Sequence, residues 1–122
     1  ATFFHVDDVP CEKLGFDINL MVQNIGNLKG DHVVMVFWNP PPDIVHEGAP
    51  IKQLVGFTRI SGLDPQETTQ VKMNLNVCDH FSFVNSEGKK LIRGGFHNLL
   101  IGQCEHVIEF KFQSSIKGYK YT

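Results

Sequence analysis

Three stretches of this chain alternate apolar and polar residues one by one, and that period restricts the fold more than any other feature. In Phe16-Asp17-Ile18-Asn19-Leu20-Met21-Val22-Gln23 the residues Phe16, Ile18, Leu20 and Val22 share one face of an extended strand. Val71-Lys72-Met73-Asn74-Leu75-Asn76-Val77 and Val107-Ile108-Glu109-Phe110-Lys111-Phe112 repeat the pattern. A helix face needs apolar residues three or four apart, so these segments predict half-buried strands. Asn24-Ile25-Gly26-Asn27-Leu28-Lys29-Gly30 and Asn39-Pro40-Pro41-Pro42-Asp43 supply the residues that end strands, and the run of prolines forbids a central strand there. The remaining segments read as strands over Asp31–Trp38, Leu54–Ile60, Gln70–Cys78, Phe96–Ile101 and His106–Gln113, with another from the amino-terminal Phe3–Val9. About seven short strands, with no convincing helical stretch, predict an all-β sandwich of two antiparallel sheets. One domain is expected over residues 1–122, with 114–122 as a frayed tail.

The charge balance narrows the partners. A net charge of −2 and a pI near 6.3 create no field that would draw nucleic acid or an anionic membrane, so neither is an expected partner. No apolar run approaches the roughly 20 residues that span a bilayer, and Ala1-Thr2-Phe3-Phe4-His5 lacks the regions of a signal peptide. Cys11, Cys78 and Cys104 form no C-x-x-C pair and are not spaced with histidines as zinc ligands are. His5, His32, His46, His80, His97 and His106 are likewise scattered, so neither a metal nor a cofactor is expected. Asn76-Val77-Cys78 is the rare N-x-C form of a glycan acceptor, blocked if Cys78 is held in a disulfide.

Longer ordered motifs carry a resemblance. Val22-x-Asn24-x-Gly26-x-x-x-Gly30-x-His32, Phe37-x-x-Pro40-Pro41 and Pro50-x-Lys52-Gln53-Leu54-Val55-Gly56-Phe57 are followed by Val77-Cys78-x-x-x-Ser82-x-Val84-x-x-x-Gly88 and Gly95-x-His97-x-Leu99-x-Ile101-Gly102. Together they resemble the fibronectin type III-like domain that closes many family-3 glycoside hydrolases, over roughly residues 11–112 and most of all in the plant β-xylosidase and α-arabinofuranosidase branch. The resemblance implies an immunoglobulin or fibronectin type III-like sandwich and a non-catalytic accessory module. The nucleophile and acid/base carboxylates of that family stand in other domains, which this module would pack against and stabilise. It also implies a secreted, cell-wall protein. The alternative is an independently released module that recognises a polysaccharide or a protein partner.

The residues themselves offer little chemistry. A glycosidase needs two carboxylates about 5 to 9.5 Å apart in a pocket. Asp7, Asp8, Asp43, Glu47, Asp64, Glu67, Asp79, Glu87, Glu105 and Glu109 all fall in expected loops or on outward faces, so no catalytic residue is assigned. Cys78, His80 and Ser82 lack an orienting third group and an oxyanion donor. His97 stands where many relatives carry a tyrosine, and its ring is expected to bond a nearby backbone group as a tyrosine corner does. If the strands after Cys11 and before Cys78 lie antiparallel, these two cysteines share one end of the sandwich and form a disulfide. Cys104 would then lie roughly 20 to 25 Å away, as a free or intermolecular thiol. Trp38, at the end of its strand, is expected to pack in the core; the alternative is that Trp38 with Pro40, Pro41 and Pro42 forms a binding surface. The Phe81-Ser82-Phe83-Val84 run is the candidate contact with a neighbouring domain.

Overall fold

A computed structural model describes residues 2–102 and 106–112. Nine strands follow in chain order: β1 (Phe3–His5), β2 (Gly15–Gln23), β3 (Gly30–Asn39), β4 (Gln53–Leu63), β5 (Thr68–Asn76), β6 (Ser82–Val84), β7 (Lys90–Arg93), β8 (Gly95–Ile101) and β9 (His106–Phe112). All paired strands are antiparallel, and the fold is an all-β sandwich. Its two main layers are the β2-β5 pair and a four-stranded sheet in the order β4-β3-β8-β9. A third small sheet, β1-β7-β6, was not expected.

Alternation decides which side chains meet between the layers. Ile18 of β2 and Val71, Met73 and Leu75 of β5 face Val34, Val36 and Trp38 of β3 and His97, Leu99 and Ile101 of β8, all buried. Phe81 closes the end of this core among three other aromatic rings, with centroids 4.9 Å from Phe110, 5.7 Å from Trp38 and 6.0 Å from Phe16. Burying one such ring stabilises by about 2 to 3 kcal/mol.

The structure corrects several sequence boundaries. The amino-terminal strand stops at His5, because residues Val6–Asp8 coil into a 3₁₀ turn whose first N–H groups are partly met by the His5 ring, which accepts from the Asp7 N–H at 3.3 Å. It pairs with β7 and joins neither main sheet. The strand expected over Gln70–Cys78 begins at Thr68 and ends at Asn76, where the Asn76 carboxamide accepts from the N–H groups of Cys78 and Asp79 at 2.9 and 3.2 Å and starts the one-turn helix α2 (Val77–His80). A side-chain oxygen that satisfies two orphan donors competes successfully with continuation of the strand. A second one-turn helix, α1 (Pro42–Val45), starts at the last of the three prolines, which have no N–H to lose in a first helical turn. Gln113, Cys104 and the 114–122 tail lie outside the described residues.

Candidate functional site

The side chains singled out from sequence do not converge on one place. Trp38 was the candidate aromatic of a binding surface, and it is fully buried. Its parity explains this, since it follows Val34 and Val36 on the inward face of β3. The Trp38 Nε1–H donates to His97 Nδ1 at 3.1 Å, and the other His97 nitrogen, Nε2, donates to the Arg93 carbonyl at 2.7 Å. Accepting at one nitrogen and donating at the other requires the neutral ring, and burial lowers the His97 pKa from its ordinary value accordingly. The bond to a backbone carbonyl four residues upstream is the tyrosine-corner geometry expected for position 97. Of the prolines, Pro40 is buried, Pro41 half-buried and Pro42 exposed, so the Pro-rich loop offers no aromatic shelf.

The Phe81–Val84 run is also corrected. Phe81 and Phe83 point into this domain's own core and only Val84 is largely exposed, so the run is no contact patch. The run becomes β6 instead, paired with β7 through Ser82↔Ile92, Phe83↔Leu91 and Val84↔Lys90.

Cys11 and Cys78 are joined, with their Cα atoms 5.7 Å apart. Antiparallel β2 and β5 place Gly15 opposite Asn76, which brings the turn before β2 beside the turn after β5. The Asn76 amide donates to the Cys11 carbonyl at 2.7 Å, so the same asparagine caps α2 and ties it to the disulfide. That amide nitrogen would be the glycan acceptor of Asn76-Val77-Cys78, and here it is half-buried and engaged.

Of the carboxylates considered above, all that are described are exposed, and Glu105 lies outside the described residues. Asp43 is held below the usual carboxylate range by the Arg93 guanidinium, whose Nε–H donates to it at 2.9 Å. Asp17 is held low by the Asn74 amide and then by Lys72. Among the described residues no group of three or more His, Cys, Asp or Glu side chains is placed to hold a metal ion.

The feature that sequence reasoning missed is the outer face of the four-stranded sheet. Register puts Met35 beside Phe57, Phe37 between Leu54 and Leu100, and Leu100 beside Val107. Phe57 is 65% exposed, Val107 60%, Leu54 45% and Val33 40%. Polar groups border this apolar part: Lys52 Nζ lies 4.3 Å from the centre of the Phe37 ring, Arg59 stands opposite Val33, and Asn98 stands beside Asn39 and Glu109. The outer face of the β2-β5 layer is, by contrast, Asp17, Asn19, Met21 and Gln23 beside Gln70, Lys72 and Asn74. The signal was present in Val33-Val34-Met35-Val36-Phe37-Trp38, which is apolar throughout and so belongs to a strand covered on both faces.

The described residues thus form a disulfide-stapled all-β sandwich with a buried Trp–His pair, dispersed carboxylates and apolar residues on one outer face. Comparison with known proteins gives its family. A family model for the fibronectin type III-like domain matches residues 32–104. A probable β-D-xylosidase 6 of Arabidopsis thaliana is 34% identical over 90% of this chain, and β-D-xylosidase 3 of the same plant is 42% identical over 75% of it. The matched regions are 14% and 11% of those two proteins. Among solved structures, a β-glucosidase from Kluyveromyces marxianus superposes with a TM-score of 0.70 at 30% identity, over 81% of this chain and 12% of that one. The chain belongs to the fibronectin type III-like domain family, and it spans about one seventh or less of the length of these relatives.

Proposed function

We propose that this chain is the non-catalytic accessory domain of a secreted β-xylosidase or α-arabinofuranosidase-type glycoside hydrolase, and that it docks on and stabilises the catalytic domains of that enzyme through the outer face of β4-β3-β8-β9. The observation that carries this reading is the apolar face itself. Solvated antiparallel sheets are polar on their outer side, and continuous apolar patches on a folded module mark contact surfaces. The length of the relatives supplies the occupant, since a matched region of 14% or less leaves most of such a polypeptide available to cover the face. A long-range disulfide supports an oxidising, extracellular setting. Burial of Trp38 removes the aromatic platform that a free sugar-binding module would present there.

The test is Phe57→Glu, placed in the parent enzyme and in the isolated domain. Phe57 contributes little to the domain's own core, so the isolated domain should melt within a few degrees of wild type. In the parent, a carboxylate forced into an apolar contact costs several kcal/mol, so the domain should be released by limited proteolysis and the enzyme's Tm should fall. A parent enzyme with unchanged Tm and protease resistance would sink the reading.

A further inference from the structure

The two layers of the sandwich are joined on one side and open on the other. The β4–β5 connection, Leu63 to Thr68, closes the first side, with the Asp64 N–H donating to Glu67 Oε1 at 2.8 Å. On the opposite side β2 and β9 are the outermost strands of their sheets, and among the described residues each has a neighbour on one edge only. Between them runs a groove of about 630 Å³ whose apolar lining includes Leu20, Val22, Val34, Ile101 and Ile108. In immunoglobulin-type sandwiches the first strand flanks the second in the same sheet. Here β1 has gone to β7 instead, and the place beside β2 is vacant among the described residues.

The backbone of β2 is equipped to fill that place. The Leu14 carbonyl accepts from the Val77 N–H, and Asn24 both donates to the Glu67 carbonyl and accepts from the Gln66 N–H. Even-numbered residues of β2 therefore turn their N–H and C=O groups toward β5, and Asp17, Asn19 and Met21 turn theirs toward the open side. Exposed edges are ordinarily blunted by shortness, lysine, proline or bulges. Strand β2 is nine residues long, pairs with β5 in unbroken register and contains neither lysine nor proline. Its single charge, Asp17, is drawn onto the outer face by Asn74 and Lys72. Such an edge is a template for strand addition.

We infer that the β2 edge accepts, as an added antiparallel or parallel strand, an extended segment of the parent polypeptide outside residues 1–122. The inference rests on the reading of this chain as one domain of a longer enzyme. The segment's chemistry follows from the site: apolar residues at alternate positions to fill the groove over Leu20 and Val22, polar residues between them, and backbone bonds to Asp17, Asn19 and Met21. A tethered segment meets the edge at high effective concentration, so it outcompetes a second copy of the chain.

Amide hydrogen exchange, resolved by residue in the isolated 122-residue chain and in the parent enzyme, tests this. The Asp17, Asn19 and Met21 amides should exchange at least about 100-fold more slowly in the parent, while Ile18 and Leu20 are protected in both. Equal rates in parent and isolated chain would overturn the inference. Protection in the isolated chain that grows with concentration would assign the edge to a second copy, and concentration-independent protection would assign it to this chain's own residues; both overturn it. Asn19→Pro adds a second readout, because it removes an edge N–H without breaking the β2–β5 ladder: in the parent it should restore fast exchange at Asp17 and Met21. Edge protection in a parent indifferent to Phe57→Glu would separate failure of the outer-face reading from failure of this one.

Discussion

Removing the Cys11–Cys78 crosslink should lower the melting temperature by about 15 °C. The bond joins residues 67 apart in sequence, and the loop-closure entropy it removes from the unfolded chain corresponds to about 4 kcal/mol at room temperature. A domain of 122 residues has an unfolding entropy of about 0.26 kcal/mol/K near its midpoint, which converts that energy into the stated shift. The protein should be measured three ways by calorimetry: oxidised wild type, reduced wild type, and Cys11→Ala/Cys78→Ala. Reduced wild type isolates the crosslink, since it keeps both sulfur atoms in place, whereas the double variant also empties the space of the buried Cys78 side chain and should melt about 2 to 4 °C lower still. A shift below about 5 °C in the reduced protein would refute the argument, because the unfolded chain would then be constrained by something other than this loop. Peptide mapping that joined Cys11 to Cys104 would refute the placement of β2 against β5 itself.

Two further perturbations test the interior. Gly48 has φ +115°, and a Cβ built there would fall 2.4 Å from the Val84 carbonyl oxygen, so Gly48→Ala should cost about 2 to 4 kcal/mol in denaturant unfolding. Gly88, at φ +79° with nothing within 4 Å of its Cβ position, should lose only about 1 kcal/mol as alanine, and equal losses at both sites would show that contact with Val84 is unimportant. Stability should also fall as pH drops below about 6.5, the ordinary value for the His97 imidazole. The folded pKa is lowered, so the unfolded chain binds the extra proton first; the contribution is whole above 6.5 and is lost as pH falls through the lowered folded value. The lowered carboxylates Asp17 and Asp43 start from 3.8, so their contributions stay constant between pH 7.5 and 5.5. His97→Leu should lose 1 to 3 kcal/mol at pH 7.5, by orphaning the Trp38 N–H, and should flatten the slope over that window; an unchanged slope would exclude His97 as its source.

Strands longer than about six residues were legible because a period of two needs several repeats to show. β2, β5 and β9 were foreseen within a few residues for that reason, whereas β3, β4 and β8 were read from the turn residues that bound them. β6 and β7 have three and four residues, too few for alternation to emerge, and they were missed although Phe83 and Ile92 are fully committed to the core. α2 was read as strand because Val77 continues the odd-numbered apolar series from Val71, while the decisive residue, Asn76, acts through its own side chain and leaves no periodic trace. Trp38 illustrates a different case. Core packing was its expected use and is what the structure shows, in line with its inward parity with Val34 and Val36, while the binding surface suggested by the neighbouring Pro-rich loop is not formed by it.

The contrast between β2 and β3 shows where the remaining information lay. In β2 the outward residues Asp17, Asn19 and Gln23 are polar and only Met21 among them is apolar, so that strand needs cover chiefly on one face, and its open requirement is along its edge. In β3 the outward residues Val33, Met35 and Phe37 are as apolar as the inward ones, so its requirement is a second covering layer. A sandwich core supplies one layer to each. On the reading proposed above, the edge of one sheet and the face of the other are both covered by polypeptide beyond the described residues, and they are different surfaces. One docking interface across the face and one added strand along the edge would satisfy both, and each can fail without the other.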